Sequence, residues 1–138
     1  MAQIDVRLAD YADPAHREAL LFLLDAYARD PAGGGAPLGE YVRRHLLDEL
    51  ARRPYAFSVL AFEGEQAVGL VNCFEGFSTF ASKPLVNVHD VVVLESHRGR
   101  RIAPMMLAKV EELARERGAC KLTLEVLSGN TQAMKSYE

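Results

Sequence analysis

The chain of 138 residues contains no tryptophan, only two cysteines and no long apolar run. Cys73 and Cys120 stand in no metal-binding or redox spacing, so the sequence predicts buried thiols of a cytosolic protein and no disulfide. No apolar stretch reaches the roughly 18 residues of a membrane-spanning helix, so no membrane association is expected. The N-terminus also lacks the basic and apolar regions of a signal peptide, which favours a cytoplasmic location.

Neither the charge nor the histidines indicate a nucleic-acid or metal partner. The formal net charge is -3, so there is no long-range attraction for nucleic acid or for an acidic membrane. The four histidines are scattered and form no convincing metal set. With 49% hydrophobic and 25% charged residues the composition is that of a globular protein, and residues 1–138 suffice for one domain but not for two.

Local patterns predict an ordered series of strands and helices. The predicted elements are a strand at 4–8, helices from Asp13-Pro14 to about 27 and at 38–50, strands at 55–62 and 66–74, a loop at 76–84, a strand at 85–94, a helix from 102 to Gly118, a strand at 120–127, and a short helical segment from about 130 to Glu138. An antiparallel meander that runs into a β-α-β crossover indicates an α/β fold. Its sheet should be mixed and mostly antiparallel, with helices on both faces.

A basic turn from His97 to Pro104 is the strongest functional signal. It follows the β-branched stretch Val91-Val92-Val93 and opens an amphipathic helix. The first turn of a helix has N–H groups without partners and a dipole that favours negative charge, so the turn predicts a phosphorylated ligand. No Gly-Lys-Ser/Thr follows and the three-glycine spacing is missing, which excludes a Walker loop and a dinucleotide fingerprint.

The turn resembles the signature of the GNAT superfamily of acetyl-CoA-dependent N-acyltransferases, Arg/Gln-x-x-Gly-x-Gly/Ala. Arg98, Ile102 and Ala103 match it, and Arg101 stands where the family has glycine. Residues 130–137 are similar to a second family element, Asn-x-x-Ala-x-x-x-Tyr, and a predicted strand separates the two motifs as in the family. The predicted order of elements agrees with this fold from residue 3 onward.

The resemblance implies acetyl-CoA as cosubstrate, without a metal. Main-chain groups of Val91, Val92 and Val93 would bind the pantetheine arm, and a backbone N–H near Val92 would polarise the thioester carbonyl. Asn130 would contact the same arm. The pyrophosphate would be held by backbone groups of the turn, with charge-assisted contacts from two arginine side chains. The turn residues implied are Arg98, Gly99, Arg100, Arg101, Ile102 and Ala103, and the two side chains are those of Arg98 and Arg100.

The resemblance also implies direct attack by a primary amine in a ternary complex. The amine must be neutral, so a general base is needed. His89 is preferred because histidine titrates near neutral pH, while Asp90 and Glu125 are the other candidates. His89 as a packed core residue and Asp90 as a cap of a neighbouring loop remain alternatives. Tyr137 would protonate the departing thiolate.

Two features depart from the family pattern. Glycine at position 101 would permit positive φ and close approach to the pyrophosphate, so Arg101 is expected to weaken coenzyme A binding modestly. Family members usually continue beyond the point of Glu138 with a Gly-Phe element and final strands. The resemblance therefore implies that the C-terminal strands are lacking here. Three explanations stay open: the chain is a fragment, a further tail is disordered, or a partner subunit completes the sheet. An exposed sheet edge favours pairing, so we expect a homodimer.

Taken together, these residues predict an N-acetyltransferase that moves an acetyl group from acetyl-CoA to the primary amine of a small molecule. Two alternatives stay open. The acceptor could be a peptide N-terminus or a lysine. A degenerate domain could instead bind acyl-CoA without turnover.

Overall fold

The computed structural model describes residues 3–125, apart from the side chain of Ala32, and the backbone of residues 132–136. The elements are β1 (Ile4–Leu8), α1 (Pro14–Arg29), α2 (Glu40–Ala51), β2 (Ala56–Glu63), β3 (Gln66–Ser78), β4 (Lys83–Val93), α3 (Ile102–Glu116), β5 (Lys121–Glu125) and β6 (Gln132–Ser136), with single 3-10 turns at Pro31–Gly33 and Glu95–His97. The described strands form one sheet in the order β1 to β6, in which only β4 and β5 run parallel. The predicted mixed, mostly antiparallel sheet is confirmed.

The sheet carries a hydrophobic core on each face. Helices α1 and α2 cover one side, called the α1/α2 face, where Leu20, Leu23, Leu47 and Leu50 pack with Leu60, Leu70 and Val92. Helix α3 covers the other side, the α3 face, where Ile102, Met106, Val110 and Ala114 pack with Val59, Val71, Val86 and Val88. The predicted helices on both faces are therefore confirmed. None of the described helices has both the length and the apolar character needed to cross a membrane.

Local signals place the first helix as predicted. The Asp13 carboxylate accepts hydrogen bonds from the backbone N–H groups of Ala15 at 2.8 Å and His16 at 3.3 Å, and Pro14 occupies the first helical position. Such a cap satisfies N–H groups that would otherwise lack partners, and proline needs no partner there.

Two predicted elements are wrong. Most of the loop expected at 76–84 is strand, because β3 and β4 stay in register as far as the pair Ser78 and Lys83, which leaves 79–82 as the turn. This hairpin arm carries Phe77 and Phe80, both exposed. The helix expected near the C-terminus is not formed at Gln132–Ser136, which pairs antiparallel with β5 as β6. In both places pairing with a neighbouring strand outweighs the local signal.

Candidate active site

The candidate site is built around β4. Among the described residues, its parallel pairing with β5 ends before β4 itself does. Pairing with β5 covers Val86 to Val88, whereas pairing with β3 continues to Val93. Within the described residues, the main chain of 91–93 therefore has no β5 partner. Buried backbone groups need hydrogen-bond partners, so a ligand in this position would supply them.

A β-bulge at His89 changes which way the second half of β4 faces. Asn72 pairs with Asp90 and Cys73 with Val88, so His89 is the extra residue. Before the bulge Val88 packs in the α3 core, and after it Val92 packs in the α1/α2 core. Since side chains alternate along a strand, Asp90 shares the α1/α2 face with Val92.

A cavity of about 720 Å³ lies between the end of β4 and the end of α1. Its wall consists of Ala26, Tyr27, Arg29, Asp30, Pro31, Val91, Val92, Val93, Leu94, Glu95 and Arg98. Four of the predicted cofactor residues, Arg98 and the three valines, thus line a single cavity. Its volume is within the usual range for small-molecule sites.

The predicted phosphate turn has the backbone geometry of an anion cradle. Gly99 has φ 82° and Arg101 has φ 63°, and α3 begins directly afterwards at Ile102. No described side chain caps this helix end. A second cavity of about 320 Å³ is lined by Val93, His97, Arg98, Gly99, Arg101, Ile102, Ala103 and Pro104. Uncapped N–H groups of the first helical turn therefore meet an open space that suits an anion.

The two arginine side chains expected to contact phosphate are both held by carboxylates. Arg98 donates to the backbone oxygen of Val93 at 3.3 Å and pairs with Asp30 at 3.3 Å. Arg100 pairs with Glu63 at 2.6 Å. Arg101 makes no ion pair with any residue the structure describes. Among the described residues, Arg101 therefore has the fewest side-chain partners of the three arginines.

Glu63, at the end of β2, contacts two residues of the turn, Arg100 and His97. Its other carboxylate oxygen lies 3.0 Å from Nε2 of the buried His97, whose Nδ1 lies 2.7 Å from the Ser96 hydroxyl. The hydrogen bond from Arg100, followed by that from His97, lowers the pKa of Glu63 from 4.5 to about 2. These contacts could not be predicted from the sequence, because Glu63 is far from the turn along the chain.

The structure brings two of the three candidate bases together. Nδ1 of His89 lies 3.1 Å from Oε2 of Glu125, and both side chains are about half exposed. Glu125 also accepts a hydrogen bond from Asn87 at 2.6 Å, and Asn87 accepts one from Thr123 at 2.7 Å. The ring of Phe74 meets the His89 ring edge-on at a centroid distance of 5.4 Å. His89 is thus not a packed core histidine.

Asp90, the third candidate, ends a buried hydrogen-bond chain. The Tyr11 and Ser58 hydroxyl oxygens are 2.7 Å apart, Ser58 donates to Asn72 at 2.6 Å, and Asn72 donates to Asp90 at 3.1 Å. Burial, followed by the negative charge of Asp90, raises the pKa of Tyr27 in the cavity wall. Among the described residues, Asp90 is thus bound by a strand residue, and the alternative of Asp90 as a cap of a neighbouring loop stays a prediction.

Several residues of these networks were missed from the sequence. Ser58 and Asn72 are polar residues at buried positions of otherwise apolar strands, and that was the available signal. Asn87 and Thr123 are cross-strand neighbours, which requires the register of β4 and β5. Asn130 and Tyr137 lie outside the described residues.

Among the described residues, neither the cysteines nor the possible metal ligands form a second functional site. Cys73 is buried and Cys120 partly buried, both as free thiols, and burial raises the pKa of the Cys73 thiol. In the part of the chain that the structure describes, no group of three or more histidine, cysteine, aspartate or glutamate side chains could hold a metal ion.

Comparisons with known proteins cover most of the chain. The family model described as "Acetyltransferase (GNAT) family" matches residues 18–138. Streptothricin acetyltransferase of Streptomyces lavendulae is 34% identical over 74 residues, which are 51% of this chain and only 39% of that relative. The chain thus matches about two fifths of the length of this curated relative.

Solved structures show the same fold. A ribosomal-protein-alanine N-acetyltransferase from Brucella melitensis biovar Abortus 2308 has a TM-score of 0.72 at 21% identity, covering 90% of this chain and 80% of that chain. An aminoglycoside 6'-N-acetyltransferase complexed with coenzyme A has a TM-score of 0.67 at 18% identity, covering 87% and 60%. At these identities the likeness establishes the fold and not the acceptor.

Proposed function

Because the chain belongs to the GNAT family of acetyltransferases, we propose that it transfers an acetyl group from acetyl-CoA to the primary amine of a small molecule. One observation carries the proposal. Strand β4 extends past its described pairing with β5, borders a cavity with Val91, Val92 and Val93, and is followed, after the turn at 94–101, by the N-terminus of α3, which no described side chain caps. This arrangement suits a long ligand with a polar arm and an anionic end.

The described residues fit coenzyme A in two places. We propose that the main chain of 91–93 binds the pantetheine arm, with the N–H near Val92 directed at the thioester oxygen. The backbone of 98–103 would hold the pyrophosphate, helped by the positive φ angles of Gly99 and Arg101. Arg98 and Arg100 would add positive charge beside the pyrophosphate while they stay paired with Asp30 and Glu63. Asn130 would contact the arm.

His89 is proposed as the general base. It is half exposed, and Nε2 has no partner among the described residues, whereas Asp90 is already bound by Asn72. As the C–N bond forms and the C–S bond breaks, the amine proton passes to His89 and Tyr137 supplies a proton to the departing thiolate. Acetyl-CoA provides the activated acetyl group, and the protein supplies orientation and proton transfer.

A small-molecule amine is proposed as acceptor. The support is the match to streptothricin acetyltransferase, whose identity of 34% over 74 residues is higher than the 21% of the ribosomal-protein-alanine N-acetyltransferase. A peptide N-terminus is the competing acceptor, because a ribosomal-protein acetyltransferase shares the fold.

The test is thiol release from acetyl-CoA with a panel of aminoglycosides, polyamines and short peptides. We expect turnover with a small amine, a drop of about 100-fold or more in kcat for His89→Ala, and a clear drop for Tyr137→Phe. His45→Ala, on the exposed side of α2, is the matched control and should keep wild-type activity. Turnover only with peptides would overturn the acceptor, and coenzyme A binding without any turnover would overturn the enzymatic function.

A further inference from the structure

A line of three side chains leads from the buried part of the sheet to His89. Thr123, which is almost fully buried, pairs across the parallel strands with Asn87, and Asn87 contacts Glu125. Glu125 in turn contacts His89. The proposed function uses only His89, and the three side chains of the line have no role in it.

The donors and acceptors in this line have only one consistent arrangement. An ionised carboxylate can only accept hydrogen bonds. Glu125 accepts from the Asn87 amide on Oε1 and faces Nδ1 of His89 with Oε2. The proton of the neutral imidazole must therefore lie on Nδ1, because a lone pair on Nδ1 would face a lone pair on Oε2.

Asn87 keeps Glu125 in this orientation. The Thr123 hydroxyl donates to the amide oxygen of Asn87, and the amide nitrogen donates to Glu125. A reversed amide would place its oxygen against the carboxylate, and two acceptors cannot share a hydrogen bond. The bonds from Thr123 and Asn87 together therefore hold the Glu125 carboxylate toward His89.

We infer that Thr123, Asn87 and Glu125 are positioning residues that hold His89 as its Nδ1–H tautomer, with Nε2 as the proton-accepting atom. The ring nitrogen opposite a hydrogen-bonded one is left for chemistry, as in other histidine sites oriented by a carboxylate. The bulge at His89 and the edge of Phe74 fix the direction of the ring. The catalytic meaning of Nε2 depends on the proposed function, but the tautomer itself does not.

The other histidines provide internal references for this assignment. His97 faces Glu63 with Nε2 and Ser96 with Nδ1, so it must be the Nε2–H tautomer. His16 accepts the Asp10 N–H on Nδ1 and must also be Nε2–H. His45 faces the Tyr41 carbonyl with Nδ1 and must be Nδ1–H. One protein therefore offers both tautomers for comparison.

The direct test is nitrogen NMR of ¹⁵N-histidine-labelled protein at pH 8.5, where histidines are ordinarily neutral. Single histidine-to-glutamine variants assign the signals. We expect His89 to group with His45 as Nδ1–H, and His16 to group with His97 as Nε2–H. An Nε2–H signal for His89 in the unmodified protein would overturn the inference.

Variants along the line test the positioning role. Glu125→Met removes the acceptor at similar size and should let His89 populate both tautomers. Thr123→Val should shift His89 in the same direction, whereas Thr123→Ser keeps the hydroxyl and should keep the tautomer. Unchanged signals from the other three histidines establish that each variant is folded. A pure Nδ1–H signal for His89 in Glu125→Met would contradict the role of Glu125.

Kinetics separates this inference from the proposed function. With a working acceptor, Glu125→Met and Thr123→Val should lower kcat by roughly tenfold or more with unchanged coenzyme A affinity, because the tautomer is wrong in part of the molecules. Unchanged kcat would overturn the catalytic part. An Nδ1–H signal for His89 without turnover of any amine would overturn the proposed function and support the tautomer assignment.

Discussion

Arg101 combines an unfavourable backbone with a useful charge. Its φ of 63° and ψ of 24° are left-handed, a region that costs a residue with a side chain roughly 1–2 kcal/mol. Glycine, which the family signature has at this position, adopts that conformation readily. Arg101, which makes no ion pair with the described residues, lines the 320 Å³ cavity, so the same side chain also adds positive charge.

The variants Arg101→Gly and Arg101→Ala together separate these effects. We expect it to raise the free energy of unfolding by about 1 kcal/mol, since the backbone strain disappears. We also expect modestly tighter binding of coenzyme A in calorimetric titration, because the Cβ no longer limits approach to the backbone. Arg101→Ala is the control, since it keeps the Cβ and removes the charge, and it should bind less tightly than Arg101→Gly. Unchanged or weaker binding by Arg101→Gly would contradict the expectation.

Glu63 makes the stability of the turn depend on pH. A carboxyl group whose pKa is lower in the folded protein stabilises the fold above its unfolded pKa, and this contribution is lost as the pH falls toward the folded pKa. For Glu63 these values are 4.5 and about 2. Glu63→Gln should therefore be less stable than wild type at pH 6, and the difference should shrink as the pH is lowered to 3. Urea unfolding at each pH measures it.

The matched control for Glu63 is Glu65→Gln, two residues away in the same hairpin. Glu65 is exposed, so this variant should have wild-type stability at every pH. A Glu63→Gln difference that stays constant between pH 6 and pH 3 would show that the ion pairs do not couple to folding.

At the scale of elements, the hydrogen-bond chain from Ser58 through Asn72 to Asp90, which links β2, β3 and β4, can be tested as a unit. Removing one member leaves a buried group without its partner, at a cost of about 1–3 kcal/mol. Asn72→Ala and Ser58→Ala should each destabilise the protein by this amount. Because the two side chains share a hydrogen bond, the double variant should lose less than the sum, with a coupling of at least about 0.5 kcal/mol. Additive losses in chemical denaturation would argue against a connected chain.

The contact of α3 with the sheet depends on Gly69. A Cβ at this position would lie 2.8 Å from Sδ and 2.9 Å from Cε of Met106. Gly69→Val should therefore destabilise the fold by about 1–3 kcal/mol and weaken coenzyme A binding, because the N-terminus of α3 belongs to the proposed site. Met106→Ala makes room, so the double variant should lose less than the sum of the single losses. Additive losses of stability in the double variant would show that contact with Met106 is not the reason that Gly69→Val destabilises the fold.

Elements with local signals were predictable from the sequence, and elements that depend on distant partners were not. The strand at 4–8 and the start of α1 were correct because alternation and the Asp13 cap are local. The hairpin arm at 76–84 and β6 depend on pairing with other strands. The bulge at His89 has no signal in the sequence pattern, yet it places Asp90 on the α1/α2 face of the sheet.

At the scale of the whole molecule, the mixed sheet with a core on each face followed from the order of elements. The turn at 97–104 could be predicted because its glycine, charges and helix start are contiguous. The pairing of His89 with Glu125 could not be predicted, because it requires the register between β4 and β5. Likewise, the pairing of Arg98 and Arg100 with carboxylates requires contacts over 68 and 37 residues of sequence.

The proposed function requires coenzyme A to lie along residues 91–93 of β4, beyond the described pairing with β5, with its pyrophosphate on the turn before α3. Amide chemical-shift mapping during titration with coenzyme A tests it most directly. We expect the largest shifts at residues 91–93 and 99–103, with little change in β1 and α2. No shifts at saturating ligand, or shifts confined to a distant region such as the hairpin arm, would contradict it.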